Sequence, residues 1–218
     1  CGTETSTTGK FYVTIPMIKG MKYDIVFWAQ NADCGYYSLV GKEVTVDYTD
    51  VNANDDTRDA FFAYVDEFDP VTPAGKDQVK LYRPFAQLNA ATNDYDAVAD
   101  SGITLSTSEA TISTFHSFNI ATGTASDKGD ATFLAAAIPG GDLNGTAGYE
   151  YLAVNYLFVS GDSSLVDAEY KFKGTKADTS VVTFTGTDYS AIPLKPNHRT
   201  NILGALLTKP ADFVVDVE

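Results

Sequence analysis

Apolar and polar residues alternate with a period of two along most of this chain. Val44, Val46 and Tyr48 alternate with Thr45, Asp47 and Thr49, and Val166, Ala168, Tyr170 and Phe172 alternate with Asp167, Glu169 and Lys171. Phe11, Val13, Ile15 and Met17 share a face, as do Tyr23, Ile25, Phe27 and Ala29, with Asp24 and Gln30 opposite. Successive strand side chains point to opposite faces, so this pattern predicts half-buried antiparallel strands. Residues 149–159 are apolar on both faces (Tyr151, Leu152, Val154, Tyr156, Leu157, Phe158), which predicts a central strand covered on both sides. Helix is scarce. The segment 94–101 has an acidic start and a Gly102 stop, and 57–63 is a second short candidate. Strands at short intervals with turn signals between them predict an all-β, antiparallel β-sandwich fold, or a pair of such sandwiches. The Gly-, Pro- and Asn-rich segment 139–148 is the best domain boundary, dividing 1–138 from 149–218, although a long hairpin loop would look the same.

The alternation is sharpest at 212–218. Phe213, Val215 and Val217 point one way, and Asp212, Asp216 and Glu218 the other, after a break at Lys209-Pro210. A strand of this kind is either the last rung of its own sheet or a strand lent to a neighbour.

With 218 residues, 44% of them apolar and 13 each of Tyr and Phe, the chain can bury a substantial core. Its formal net charge of -14 repels phosphate backbones and anionic lipid, so nucleic acid is not an expected partner. Only three Arg occur (Arg58, Arg83, Arg199), which gives an Arg-specific protease few cleavage points. Cys1 and Cys34 could form a disulfide or remain two free thiols. No apolar run is long enough for a membrane-spanning helix. A Cys followed by the short polar stretch 2–9 is how a mature bacterial lipoprotein begins, with Cys1 as the lipid attachment site, but an arbitrary starting point would read the same.

The search for chemistry returns little. His116 and His198 have no ligand-spaced companions, so no metal site is predicted. The loop 52–59 is rich in oxygen ligands, but Thr57 and Ala63 stand where a calcium loop of EF-hand type needs Gly and Glu; it reads as a solvated turn that caps a short helix. There is no Gly-x-Ser-x-Gly elbow and no phosphate-binding Gly-rich loop. Paired carboxylates of a glycoside hydrolase rest on acid abundance alone. Asn144-Gly145-Thr146 fits a glycosylation sequon. Tyr36 and Tyr37 form a candidate ligand loop, whereas Trp28 reads as core. No catalytic residue and no cofactor is predicted, and the chain does not read as an enzyme.

Five phrases carry a resemblance. They are 23–30 (YDIVFWAQ), 54–62 (NDDTRDAFF), 83–89 (RPFAQLN), 151–157 (YLAVNYL) and 193–208 (PLKPNHRTNILGALLT). In this order they resemble the fimbrillin-like surface proteins of Bacteroidia, the subunits and relatives of type V pili. The resemblance covers nearly the whole chain from about Phe11. It implies two transthyretin-like β-sandwich domains, export as a lipoprotein precursor, and display on the outer membrane or in a fimbria. It also implies assembly by strand exchange with other subunits or with itself. In polymerising members a protease, often Arg-specific, removes the first strand and opens a groove for a neighbour's strand. Relatives usually carry further strands before the one that begins here at Phe11, so the N-terminal sandwich is expected to lack its first strands.

The leading expectation is therefore a structural fimbrial or fimbrillin-like subunit, with Phe213, Val215 and Val217 as the apolar plugs of a donor or edge strand. The alternative is a surface adhesin or glycan-binding module that does not polymerise and uses loops around Tyr36, Tyr37 and 139–148. The surface ligand of such a module is not specified by the residues.

Overall fold

The computed structural model describes residues 3–5, 11–73, 76, 78–143, 148–186 and 188–218. Its strands are β1 (Thr3–Thr5), β2 (Phe11–Val13), β3 (Tyr23–Gln30), β4 (Tyr37–Val40), β5 (Glu43–Val46), β6 (Ala60–Phe68), β7 (Phe85–Thr92) and β8 (Ile103–Asn119). They continue as β9 (Thr124–Ala137), β10 (Glu150–Phe158), β11 (Ser164–Lys176), β12 (Val181–Thr185), β13 (Tyr189–Leu194), β14 (Arg199–Gly204) and β15 (Phe213–Val217). One short helix, α1 (Tyr95–Asp100), lies where 94–101 predicts it. The chain is all-β, as its alternation requires.

Two sheets form the sandwich. In the four-stranded sheet the order is β10-β7-β14-β15, with β14 parallel to β7 and the other pairs antiparallel. In the seven-stranded sheet the long strand β8 is central. β9 runs along one of its edges, β11 and β5 share the other, β12 and β13 lie end to end beyond β11, and β4 lies beyond β5. The alternating faces read from sequence are the buried ones: Val44, Val46 and Tyr48, then Val166, Ala168, Tyr170 and Phe172.

Both sheets contribute to one apolar core. Phe85 and Phe158 of the four-stranded sheet stack at 4.6 Å, and Phe158 stacks on Phe118 of the seven-stranded sheet at 5.3 Å. Tyr170 on β11 donates its hydroxyl hydrogen to Asn155 Oδ1 on β10 at 3.2 Å. The boundary expected at 139–148 therefore runs through this sandwich instead of between two. β7 pairs with β10 and β14, and β8 pairs with β11, so strands from either side of 139–148 complete each other's sheets.

Three further expectations change. The segment 57–63 is not a helix. A 3-10 turn at Asp56–Arg58 leads straight into β6, whose aromatic and β-branched residues pair with β3. On β3 it is Val26 and Trp28 that pack against the core, so the strand turns the opposite face inward from the one its alternation suggests. β10 is buried as expected but sits at a sheet margin. In the segment 11–17 only Phe11–Val13 is strand. β1 and β2 pair only with each other among the described residues, and Tyr12 and Ile18 are each 66% exposed.

Candidate functional site

The two long sides of the sandwich differ. On one side, residues 51–54 bridge the sheets. Leu134 N–H donates to Val51 C=O at 2.7 Å and Ala53 N–H to Leu134 C=O at 2.9 Å, which attaches this segment to β9. One residue later the chain reaches the other sheet. Asn54 N–H donates to Val154 C=O at 3.1 Å, and Val154 N–H donates back to Asn54 Oδ1 at 2.9 Å. Asn54 Nδ2 donates to Ser108 Oγ and Ala137 C=O, each at 2.8 Å. Its backbone φ is 59°, the left-handed region that Asn tolerates better than most residues. One amide thus clasps β8, β9 and β10.

The rest of the 52–59 loop is also structural. Asp55 accepts from the backbone N–H and hydroxyl of Thr57 at 2.9 and 2.6 Å, capping the turn as expected. Asp59 receives a two-pronged bond from Arg83, Nε to Oδ1 at 2.6 Å and Nη2 to Oδ2 at 2.7 Å. Arg83 Nη1 then reaches Asn197 Oδ1 at 2.8 Å. Arg58 is 1% exposed, and its Nε and Nη2 find no hydrogen-bond acceptor. Its guanidinium faces the rings of Phe133, Tyr48 and Tyr36 at 5.0, 5.3 and 5.9 Å, which partly offset its desolvation. The phrase that carries much of the resemblance is a structural knot. Among the described residues no group of three or more His, Cys, Asp or Glu is placed to hold a metal ion.

On the other side, β15 closes the four-stranded sheet. It pairs antiparallel with β14 from Thr200↔Val217 to Gly204↔Phe213. Phe213, Val215 and Val217 are half-buried and alternate with exposed positions, among them Val214 at 61%. Phe213 and Val215 pack on the main core, and the Phe213 ring meets Tyr189 of β13 edge-on at 4.8 Å. The expected apolar ridge exists and, in this structure, serves the chain's own core.

The turn leading into β15 is anchored from below. Asp94 accepts from Thr208 N–H at 2.9 Å, Thr208 Oγ1 at 2.7 Å, and Thr92 Oγ1. Gly204 permits the close return of the chain, because a Cβ there would lie 2.5 Å from Asp212 C=O. Asn89 on β7 donates to Asn201 on β14 at 2.8 Å, which ties the parallel pair through buried amides.

Other expected site residues take inward or unrelated places. Tyr37 is not an exposed ligand residue. Its ring lies against Trp28, Phe85 and Phe158 at 5.4, 5.7 and 6.3 Å, and its hydroxyl donates to Arg58 C=O at 2.5 Å. Burial pushes its pKa well above the usual phenol range. Tyr36 is half-buried beside Arg58. Trp28, read from sequence as core, is half-buried and packs against the core. Cys34 is a buried free thiol whose pKa burial raises. Cys1 and the Asn144 sequon lie outside the described residues. His116 tilts against Tyr48 at 4.8 Å, and His198 Nδ1 lies 2.8 Å from Pro196 C=O. The first Arg of the chain, Arg58, is buried and offers no cleavage point for a protease.

Two clefts are visible. One, of about 270 Å³, lies among Phe62, Tyr82, Arg83, Phe118, Val159 and Pro196. The second, of about 290 Å³, lies among Tyr95, Ile103, Leu105, Thr175 and Lys176. Neither is lined by an Asp or Glu, so neither holds the carboxylate pair of a glycoside hydrolase. No helix among the described residues is long and apolar enough to cross a membrane.

The family of unknown function DUF6562 matches residues 2–218. No curated protein matches the chain. Among solved structures it is similar to a candidate cell adhesion protein from Bacteroides uniformis, at 13% identity and a TM-score of 0.45, covering 90% of this chain and 72% of that one. It is also similar to a candidate adhesin from Bacteroides ovatus, at 12% identity and a TM-score of 0.41, covering 77% of this chain and 64% of that one. Likeness of this degree carries no information on ligand or partner.

Proposed function

We propose that this chain, which belongs to DUF6562, a family of unknown function, is a non-catalytic structural subunit of the cell surface, related to fimbrial subunits and able to exchange its β15 strand with a neighbour. The observation that carries this reading is the asymmetry of the sandwich. One side is bridged by 51–54. On the other, among the described residues β15 pairs only with β14 and carries a half-buried apolar ridge. Removing β15 would leave β14 with an open edge and uncover the core around Tyr189, a groove that a strand of the same pattern refills. Phe213, Val215 and Val217 each contribute about 1 kcal/mol, roughly half of the full-burial figure. That is enough to hold the strand and small enough to let it leave.

The resemblance to fimbrillin-like proteins supports the same setting: export, attachment through Cys1, and partners that are other copies or related subunits. The inward placement of Tyr37 takes one of its two aromatic residues from the ligand-loop alternative. The test is deletion of 212–218 in the exporting cell. Loss of surface polymers, with folded monomer retained, is the expected result. Polymers that persist without these residues exclude β15 as the donor.

A further inference from the structure

The strand edges of this sandwich are protected unequally. β9 carries Asp127, Lys128 and Asp130 and receives the backbone of 51–53 at Leu134. β10 is capped by Asn54. β15 carries Asp216 within the strand and is flanked by Asp212 and Glu218, so two such strands side by side would bring carboxylates together. β12 carries no charge within the strand, and its nearest acids, Asp178 and Asp188, lie beyond its ends. Its sequence, Val-Val-Thr-Phe-Thr, contains no charge and no Pro, and among the described residues it pairs only with β11. Natural edge strands are usually blunted by charges, Pro or bulges. On a chain of net charge -14, an uncharged edge is where two copies can approach with least repulsion.

The hydrogen-bond phase of β12 sharpens the point. At one end Lys176 N–H donates to Ser180 C=O at 3.0 Å, and at the other Gly186 N–H donates to Tyr170 C=O at 2.8 Å, within one uninterrupted register. The alternation of an antiparallel ladder then turns Val182 and Phe184 toward β11 and leaves the N–H and C=O groups of Val181, Thr183 and Thr185 pointing away from the sheet. The outward residues are evenly spaced about Thr183. A two-fold axis through Thr183 pairs it with its own copy and pairs Val181 with Thr185 of the second copy in both directions. Every outward N–H and C=O of the strand is then bonded.

The side chains agree with this register. Val182 of one copy falls opposite Phe184 of the other on the core side, where Phe184 already packs on the main core. Val181, 65% exposed, falls opposite Thr185 on the solvent side. β4 is also uncharged, but the bond from Asp47 N–H to Tyr36 C=O sets its phase so that only Tyr37 and Leu39 face outward. We infer that β12 is a self-association edge, at which two copies of this chain join antiparallel about Thr183 and continue the seven-stranded sheet across a two-fold axis. This contact is separate from β15 exchange, and each can fail without the other.

Sedimentation equilibrium of the intact chain tests the inference. The range is about 10 μM to about 1 mM, where so small an interface associates. The expected mass rises from 23.4 kDa toward twice that value. Thr183→Lys places like charges face to face on the axis and holds the chain at the monomer mass, with an unchanged melting temperature. Amide hydrogen exchange of the unmodified chain supplies a readout independent of that variant. Protection at Val181, Thr183 and Thr185 increases at least tenfold from the lowest to the highest concentration, while Val182 and Phe184 are protected throughout. A monomer mass at every concentration, a Thr183→Lys dimer as strong as the original, or concentration-independent exchange at the outward amides would each overturn the inference.

Discussion

Replacing Asn54 by Ala should be among the most destabilising single changes outside the apolar core. The substitution removes the acceptor of Val154 N–H and the donor to Ser108 Oγ and Ala137 C=O. Ser108 is 1% exposed, so water does not readily replace that partner. Leaving a buried polar group unpaired costs about 1–3 kcal/mol, and two such losses dominate the sum. Ala at φ 59° adds about 1 kcal/mol of backbone strain. The expected loss is about 3–5 kcal/mol, a large share of the roughly 5–15 kcal/mol typical of a domain. Two companion variants separate the contributions. Asn54→Gly removes the strain and keeps the hydrogen-bond loss, so it should recover about 1 kcal/mol. Asn54→Asp retains the acceptor for Val154 N–H and should fall between Asn54→Gly and the original. Urea unfolding followed by circular dichroism gives the three values. An Asn54→Ala variant within about 0.5 kcal/mol of the original would show that the clasp does not hold the sheets together, and the asymmetry argued for the sandwich would lose its basis.

Gly204→Ala should loosen β15 selectively, because the new Cβ meets Asp212 C=O at 2.5 Å; faster hydrogen exchange at 213–217 with unchanged exchange in β7 is the expected result. Arg58→Met should be neutral or stabilising in thermal melts, since it replaces an unpaired buried charge by an apolar chain of similar length among the same rings; Arg58→Ala should cost about 2–4 kcal/mol through the cavity it opens. The Cys34 thiol should resist alkylation in the folded chain and react at once in urea, as its burial and raised pKa require. Acid should weaken the attachment of β3: hydrogen bonds from Lys42 and Tyr64 hold Asp24 down to about 2, and Lys76 likewise lowers Asp66. A carboxylate whose folded pKa lies below its unfolded value stabilises above the unfolded value near 3.8, and that contribution is lost as pH falls toward about 2. The melting temperature should therefore drop between those values, and less steeply in Asp24→Asn.

What could be read from the sequence follows from periodicity. The faces of β5, β11 and β15 are legible because each strand has one wet and one buried side, and two-residue alternation records that contrast directly. α1 is legible from its acidic start and Gly stop. β3 misleads because it lies outside both main sheets and is half-buried on both faces, so no alternation marks Val26 and Trp28 as the inward pair. β10 misleads in a different way: its all-apolar run records burial, but not its place at a margin capped by Asn54 instead of a strand. The 139–148 segment has the composition of a linker although strands from before and after it pair within both sheets, since pairing between distant strands leaves no local signal. The candidate site divides similarly. The ridge of Phe213, Val215 and Val217 is visible as a pattern, whereas the roles of Asn54, Arg58 and Arg83 arise only when loops distant in sequence meet. Their one local sign is an Asn at the start of an acidic turn, a residue that tolerates positive φ.

The exchange of β15 is tested most directly by supplying the strand in trans. A chain ending at Pro210 is mixed with a synthetic peptide of residues 211–218, and binding is followed by calorimetry and by the melting temperature of the chain. Saturable binding of one peptide per chain, a melting temperature restored toward that of the intact protein, and loss of both when Phe213 and Val215 of the peptide are changed to Asp are the predicted results. A truncated chain that is folded and as stable as the original, and that ignores the peptide at millimolar concentration, would contradict the account.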